Sequence, residues 1–399
     1  MNIQTSSADE SGSSFALFNL GFRIFFLSAA LFSILSICLW AALYLFQLPF
    51  ALDDISLTQW HAHEMIYGYS MAAIAGFLLT AVKNWTGAQT LQGWPLALLF
   101  LLWAAARLLF TAGSGLILYA GVFDMLFAVC FLAAVSYPII KVRQWKQLAI
   151  LSKILILSVF NLLFYLGVAD IVSSGVQWGM YGGLYLVISL IMTLGRRVVP
   201  FFIERGVDRP VQLHNSRMID LSSLVLFLAF TVVEVFFYQP ALSASLALAL
   251  FLLNARRLIG WHTPGIWSKS LLWSLYLGFW MICSGFLLIS LSYFAGINKF
   301  LAIHAFAFGG IGLMTLGMMS RVSLGHSGRS IRSPSGIMAW AFGLLVLGTV
   351  VRVVFPIFAV EHYLLWVGLS QLTWIIAFCL FSILYLPVLT RPRIDGRPG

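Results

Sequence analysis

Long apolar runs separated by short polar links account for almost the whole chain. About twelve are present, near 22–46, 61–82, 95–112, 116–136, 148–168, 175–195, 218–238, 240–255, 271–293, 300–320, 336–356 and 362–387. Crossing a hydrocarbon core of about 30 Å takes roughly 20 helical residues, and most of these runs reach that length. Polarity does not alternate inside them, as it would in the roughly ten-residue segments of a membrane barrel. In lipid every backbone donor and acceptor has to be satisfied within the segment, so uninterrupted apolar runs predict helices. The expected fold is an all-α, polytopic membrane bundle of about 12 helices over 16–390. A polar Ser-rich stretch, 1–15, is expected to be a disordered tail, and 391–399 a short basic one. The N-terminal stretch has no basic residue and no apolar core, so it does not read as a secretory signal.

Composition removes the soluble alternatives. Of 399 residues, 61% are hydrophobic and 9% charged, with a mean hydropathy of +0.98, whereas about a quarter of the residues in soluble domains are charged. The net charge of +10 is a matter of topology and gives no reason to invoke nucleic acid. Lys141, Arg143 and Lys146, the group Arg196, Arg197, Arg205, Arg209 and Arg217, then Arg256, Arg257, Lys269, Arg321, Arg329 and Arg332, and the tail Arg391, Arg393 and Arg397 all fall on one side. Retention of positive charge in the cytoplasm places that side, with both termini, inside. The other side holds Asp53, Asp54, Asp170, Lys299 and Glu361. Cys38, Cys130, Cys283 and Cys379 are scattered without CxxC spacing and read as small apolar residues.

Candidate chemistry sits at the outer helix ends. Trp60-His61-Ala62-His63-Glu64-Met65 opens the second run, and His304 stands just inside the tenth. Imidazole is the common ligand of haem iron, copper and zinc. On a regular helix His61 and His63 point about 200° apart, so one of them is expected to serve a different partner. His61 and Glu64, at i and i+3, share a face. His63, Gly68 and Gly76 match His304, Gly309 and Gly317 in spacing, a register that would admit a flat macrocycle between the two helices and is equally explained by small-residue packing. Met314 and Met318 share a face and present thioethers suited to Cu(I), or simply pack. Arg107 and Asp124 fall at comparable depth in one hairpin and are expected to form a structural ion pair, because lone charges do not persist in hydrocarbon.

The blocks Gly21-Phe22-Arg23-Ile24-Phe25-Phe26, Trp60 through Met65, Gly76-Phe77-Leu78-Leu79-Thr80, Asn84-Trp85-Thr86-Gly87, Arg197-Val198-Val199-Pro200-Phe201-Phe202, Met314 through Met319 and Gly325-His326-Ser327-Gly328-Arg329 together resemble the NnrS family. The resemblance implies a bacterial inner-membrane protein that carries haem and copper and is linked to nitric oxide metabolism and resistance to nitrosative stress. It also implies that His61, His63, Glu64, His304 and His326 are ligand or site residues. Where the family pattern has a Leu-His pair this chain has Leu275-Tyr276, and a phenolate is also able to bind haem iron. Expected partners are the lipid bilayer, nitric oxide or another diatomic, and a quinone or periplasmic electron carrier. A transporter or channel for a metal, haem or small anion would use the same histidines. A haem–copper terminal oxidase subunit would need more intramembrane histidines than this chain has.

Overall fold

The computed structural model describes residues 15–397 apart from Ala51, Asp53 and Tyr238. The expected tail 1–15 lies outside these residues except for Phe15, as does Asp53. Among the described residues, twelve helices are long and apolar enough to cross a membrane. They are α1 Gly21–Tyr44, α2 Leu57–Thr86, α3 Trp94–Thr111, α4 Ile117–Lys141, α5 Trp145–Val168, α6 Gly175–Gly206, α7 Arg217–Phe237, α8 Pro240–Trp261, α9 Ser270–Phe294, α10 Lys299–His326, α11 Gly336–Phe358 and α12 Val360–Thr390.

Several helices outrun their apolar stretches. The segment from Gly195 to Phe202, beyond the apolar run that ends near 195, is helical and belongs to α6, with Pro200 inside the helix. The basic residues Arg196, Arg197 and Arg205 therefore ride on α6, and Arg321 on the last turns of α10. Hydropathy marks where the bilayer ends, whereas a helix continues until its backbone bonds are capped or broken.

Neighbours in sequence pack as antiparallel hairpins: α3 on α4, α5 on α6, α8 on α9 and α11 on α12. The ring closes where α12 packs on α1. Ala16 N–H donates to Thr390 O at 2.8 Å, so both ends of the bundle lie on one face. Arg23, buried in α1, secures the closure by donating to the carbonyls of Val388, Leu389 and Arg391. Val388 and Leu389 lie in the last turn of α12 and Arg391 directly follows it, where carbonyls have no partner within the helix. Helices α2, α9 and α10 are the most enclosed and α7 the least.

Among the described residues, four spans contain a π-helical stretch: Glu64–Ser70 in α2, Val233–Phe237 in α7, Ala305–Gly312 in α10 and Val350–Val354 in α11. Those of α2 and α10 begin directly after His63 and His304, so the shared spacing of the two segments has a structural counterpart. Wide turns of this kind concentrate at functional sites. The glycines of the two segments serve packing. A Cβ on Gly309 would lie 2.8 Å from both Met281 and Thr349, and one on Gly68 would lie 2.5 Å from Phe32.

Candidate functional site

Helices α2 and α10 start at the end of the bundle opposite the chain termini, and their histidines face different environments. A cavity of about 180 Å³ opens between the two helices and α6, lined by both His61 and His304. Its other walls include Met65, Tyr69, Leu184, Phe308 and Trp374. The His61 ring stacks on Trp40, with centroids 4.5 Å apart and planes 12° apart. Its Nδ1 is buried and has no hydrogen-bond partner, which is costly unless something else is bound there.

His304 is oriented by its own helix. Its Nδ1 lies 2.7 Å from Phe300 O, and since a carbonyl only accepts, Nδ1 carries the hydrogen and Nε2 keeps the lone pair. Arg352 of α11 donates to that Nε2 at 3.2 Å and to the Tyr363 hydroxyl at 3.0 Å. Arg352 is only 8% exposed, its Nη1 is unpartnered, and it makes no ion pair among the described residues. A cation in hydrocarbon without a counter-charge is an anion site in waiting.

His63 points the other way, as helical spacing predicts. Its Nδ1 lies 3.0 Å from Glu64 Oε1 and its Nε2 3.0 Å from Asn161 Oδ1. Phe110 and Phe164 sandwich the ring, with centroids at 4.3 and 4.4 Å. Arg107 donates to both Glu64 and Asp124, and Tyr165 donates to Asp124 at 2.7 Å. The expected pair Arg107–Asp124 is thus one limb of a six-residue network. Both ring nitrogens of His63 are engaged in it, which leaves neither free for a metal.

Charge counting says how the network survives in lipid. One guanidinium faces two carboxylates, and the imbalance closes when one proton lies along the line from His63 Nδ1 to Glu64 Oε1. Whichever atom carries that proton, the sum over Arg107, His63, Glu64 and Asp124 is zero.

Met314 and Met318 line a second cavity of about 90 Å³, with apolar walls that include Phe26, Phe77 and Met319 and no histidine. Ser70 lines both cavities. Tyr69 borders the larger and Thr315 the smaller, and their hydroxyls bond to each other.

Two sequence candidates stand elsewhere. His326 ends α10 roughly 33 Å along the axis from His304, at 1.5 Å per residue, where its ring faces Asn84 and Phe22. Tyr276 lies near the start of α9, at the terminal end, and donates to Leu258 O at 3.1 Å. Neither lines the cavity shared by His61 and His304. Sequence reading overlooked Arg352, although a charge inside the eleventh apolar run was a visible signal. Trp40, Tyr69 and Trp374 gave none, because aromatic residues are common throughout the apolar runs.

No curated protein matches the chain. The family comparison is positive over nearly its full length: residues 16–393 match the NnrS protein family, described as "NnrS protein", and the chain belongs to that family.

Proposed function

We propose that this chain is a haem-binding protein of the bacterial inner membrane that acts in the response to nitric oxide, with its cofactor held between α2 and α10. Family membership supports the association with nitric oxide and the involvement of haem and copper. The observation that carries the assignment is that two imidazoles, His61 and His304, line one cavity, with His61 Nδ1 buried and unpartnered.

The residues present suit haem. His61 offers a ring nitrogen without a partner, the walls are apolar, and His304 has its tautomer fixed with Nε2 as the lone-pair atom, which Arg352 holds at 3.2 Å and would have to release to an iron. Bound haem would supply an iron to which a diatomic ligand attaches. The chain's own part is to exclude water, hold the imidazoles in their orientations and set the polarity around them. For copper the donors are thinner. Among the described residues no group of three or more His, Cys, Asp or Glu is placed to hold a metal, and the thioethers of Met314 and Met318 line a cavity without an imidazole.

The positive charges at the terminal end favour a cytoplasmic position for that end, which would set the His61–His304 cavity toward the periplasm. Purified protein from haem-replete cells is expected to show a Soret band that His61→Ala or His304→Ala removes or shifts, whereas Tyr276→Phe and His326→Ala leave it unchanged. A colourless preparation, or a band indifferent to both His61 and His304, would overturn the assignment.

A further inference from the structure

At the terminal end of the bundle, far from the histidine cavity, a cavity of about 240 Å³ lies where the end of α6, the start of α9 and the end of α10 meet. Its lining includes four basic side chains, Arg205, Lys269, Arg321 and Arg332, and no acidic one. Three of them stand at the rim and are at least partly exposed. Lys269 is paired at 3.0 Å with Asp208, an outlying residue whose side chain is 77% exposed. Arg321 is different. It is 7% exposed, and its guanidinium lies over the Phe202 ring at 3.7 Å from the centroid. Among the described residues it has neither a hydrogen bond to a side chain or carbonyl nor an ion pair.

A guanidinium stacked on an aromatic face is held in plane with its N–H edge unspent. Ser270, the first residue of the 25-residue helix α9, lines the same cavity, and the opening turn of a helix carries N–H groups with no partner inside it. Fixed guanidinium edge, helix start and cationic rim converge on one volume, and each element favours a multivalent oxyanion. Ordinary retention of positive charge accounts for arginines at this end of the bundle. It does not account for one buried nine-tenths in a cavity without a counter-ion.

We propose that this cavity binds a phosphate group, with Arg321 as its fixed anchor and Arg205, Lys269 and Arg332 as a mobile cationic rim. The phosphate comes from an anionic lipid headgroup or from free inorganic phosphate. Its position where helices leave the membrane suits either source.

The test uses the full chain, purified and placed in nanodiscs, with unfolding followed by tryptophan fluorescence and bound lipid counted by native mass spectrometry. In one arm phosphatidylglycerol, whose phosphate carries no tethered cation, is compared with phosphatidylcholine. In the other, inorganic phosphate is compared with chloride at equal ionic strength in phosphatidylcholine discs. A rise in the unfolding temperature in the first arm alone identifies a lipid headgroup, and a rise in the second identifies the free ion. Arg321→Gln is expected to weaken binding at least tenfold, about 1.4 kcal/mol, through the loss of charge-assisted hydrogen bonds. Arg332→Gln, on an exposed loop where folding is not at risk, is expected to weaken it by a smaller factor and flatten the salt dependence. No rise in either arm, or equal rises and lipid counts in wild type, Arg321→Gln and Arg332→Gln, would overturn the proposal.

Discussion

Replacing Arg107 by leucine tests the charge count of the buried network directly. Arg107 bridges Glu64 and Asp124, whose side chains are 0% and 2% exposed. Without it, two carboxylates face one imidazole, and one of them is left buried without a counter-charge. Breaking a buried pair from one side costs about 3–5 kcal/mol. Glu64→Gln removes a carboxylate and keeps the Arg107–Asp124 pair, so its cost is about 1 kcal/mol, near that of a single hydrogen bond. The double variant Arg107→Leu/Asp124→Leu is the discriminating case. It leaves Glu64 beside His63 at 3.0 Å, a set that closes at zero charge with one shared proton, and apolar replacement of a buried pair is often nearly neutral. The double variant is therefore expected to be more stable than Arg107→Leu alone, with only the Tyr165 hydroxyl deprived of its acceptor. Unfolding by detergent titration, followed by tryptophan fluorescence at a fixed rate, ranks the three variants. If the double variant is no more stable than Arg107→Leu, or if Glu64→Gln is as damaging, the charge-balance reasoning fails.

Three further outcomes are expected. Gly68→Ala places a methyl against Phe32 and 3.2 Å from the Arg107 Cδ, and overpacking of this kind costs about 1–3 kcal/mol, readable in the same unfolding assay. Arg23→Gln loses donors to Val388 O and Leu389 O, both at 3.1 Å, and to Arg391 O at 2.7 Å, so limited proteolysis should find the α1–α12 seam opened. At the C-terminal tail, Arg393 grips Asp395 and donates to His326 O, while Ile394 N–H bonds Ser327 O. The hydrogen bond from Arg393 pulls the Asp395 carboxyl down to about 2, below an unfolded value of about 3.9. A depressed carboxylate stabilises docking fully above the unfolded value and loses its effect as pH falls through the folded one. Hydrogen exchange at the Ile394 amide should therefore be insensitive to this group from neutral pH down to about 4, and Asp395→Asn should accelerate it at pH 7. Unchanged exchange in that variant would refute the reading of the tail.

Much of this protein was legible because lipid is an undemanding judge of sequence. Any run apolar enough and long enough becomes a helix, and the bias of Lys and Arg to one side orders the helices without reference to packing. The opposed directions of His61 and His63 also followed from the helical repeat alone. What the hydropathy pattern misread were helix ends, as at Arg196 to Phe202, since polarity changes at the membrane surface while the backbone ladder of α6 runs on.

The partnerships of the polar residues belonged to tertiary structure. Sequence placed Arg107 with Asp124 by their depth in one hairpin. It had no means of knowing that Glu64 and His63 come from α2, and Asn161 from α5, to complete that network. Nor could it tell that His61, rather than His63, shares a cavity with His304, or that Arg352 stands beside His304 without a carboxylate. Composition and periodicity act along one helix and fix what enters the membrane. Which faces meet is decided by the crossing of separate helices, and in this chain by π turns placed directly after His63 and His304.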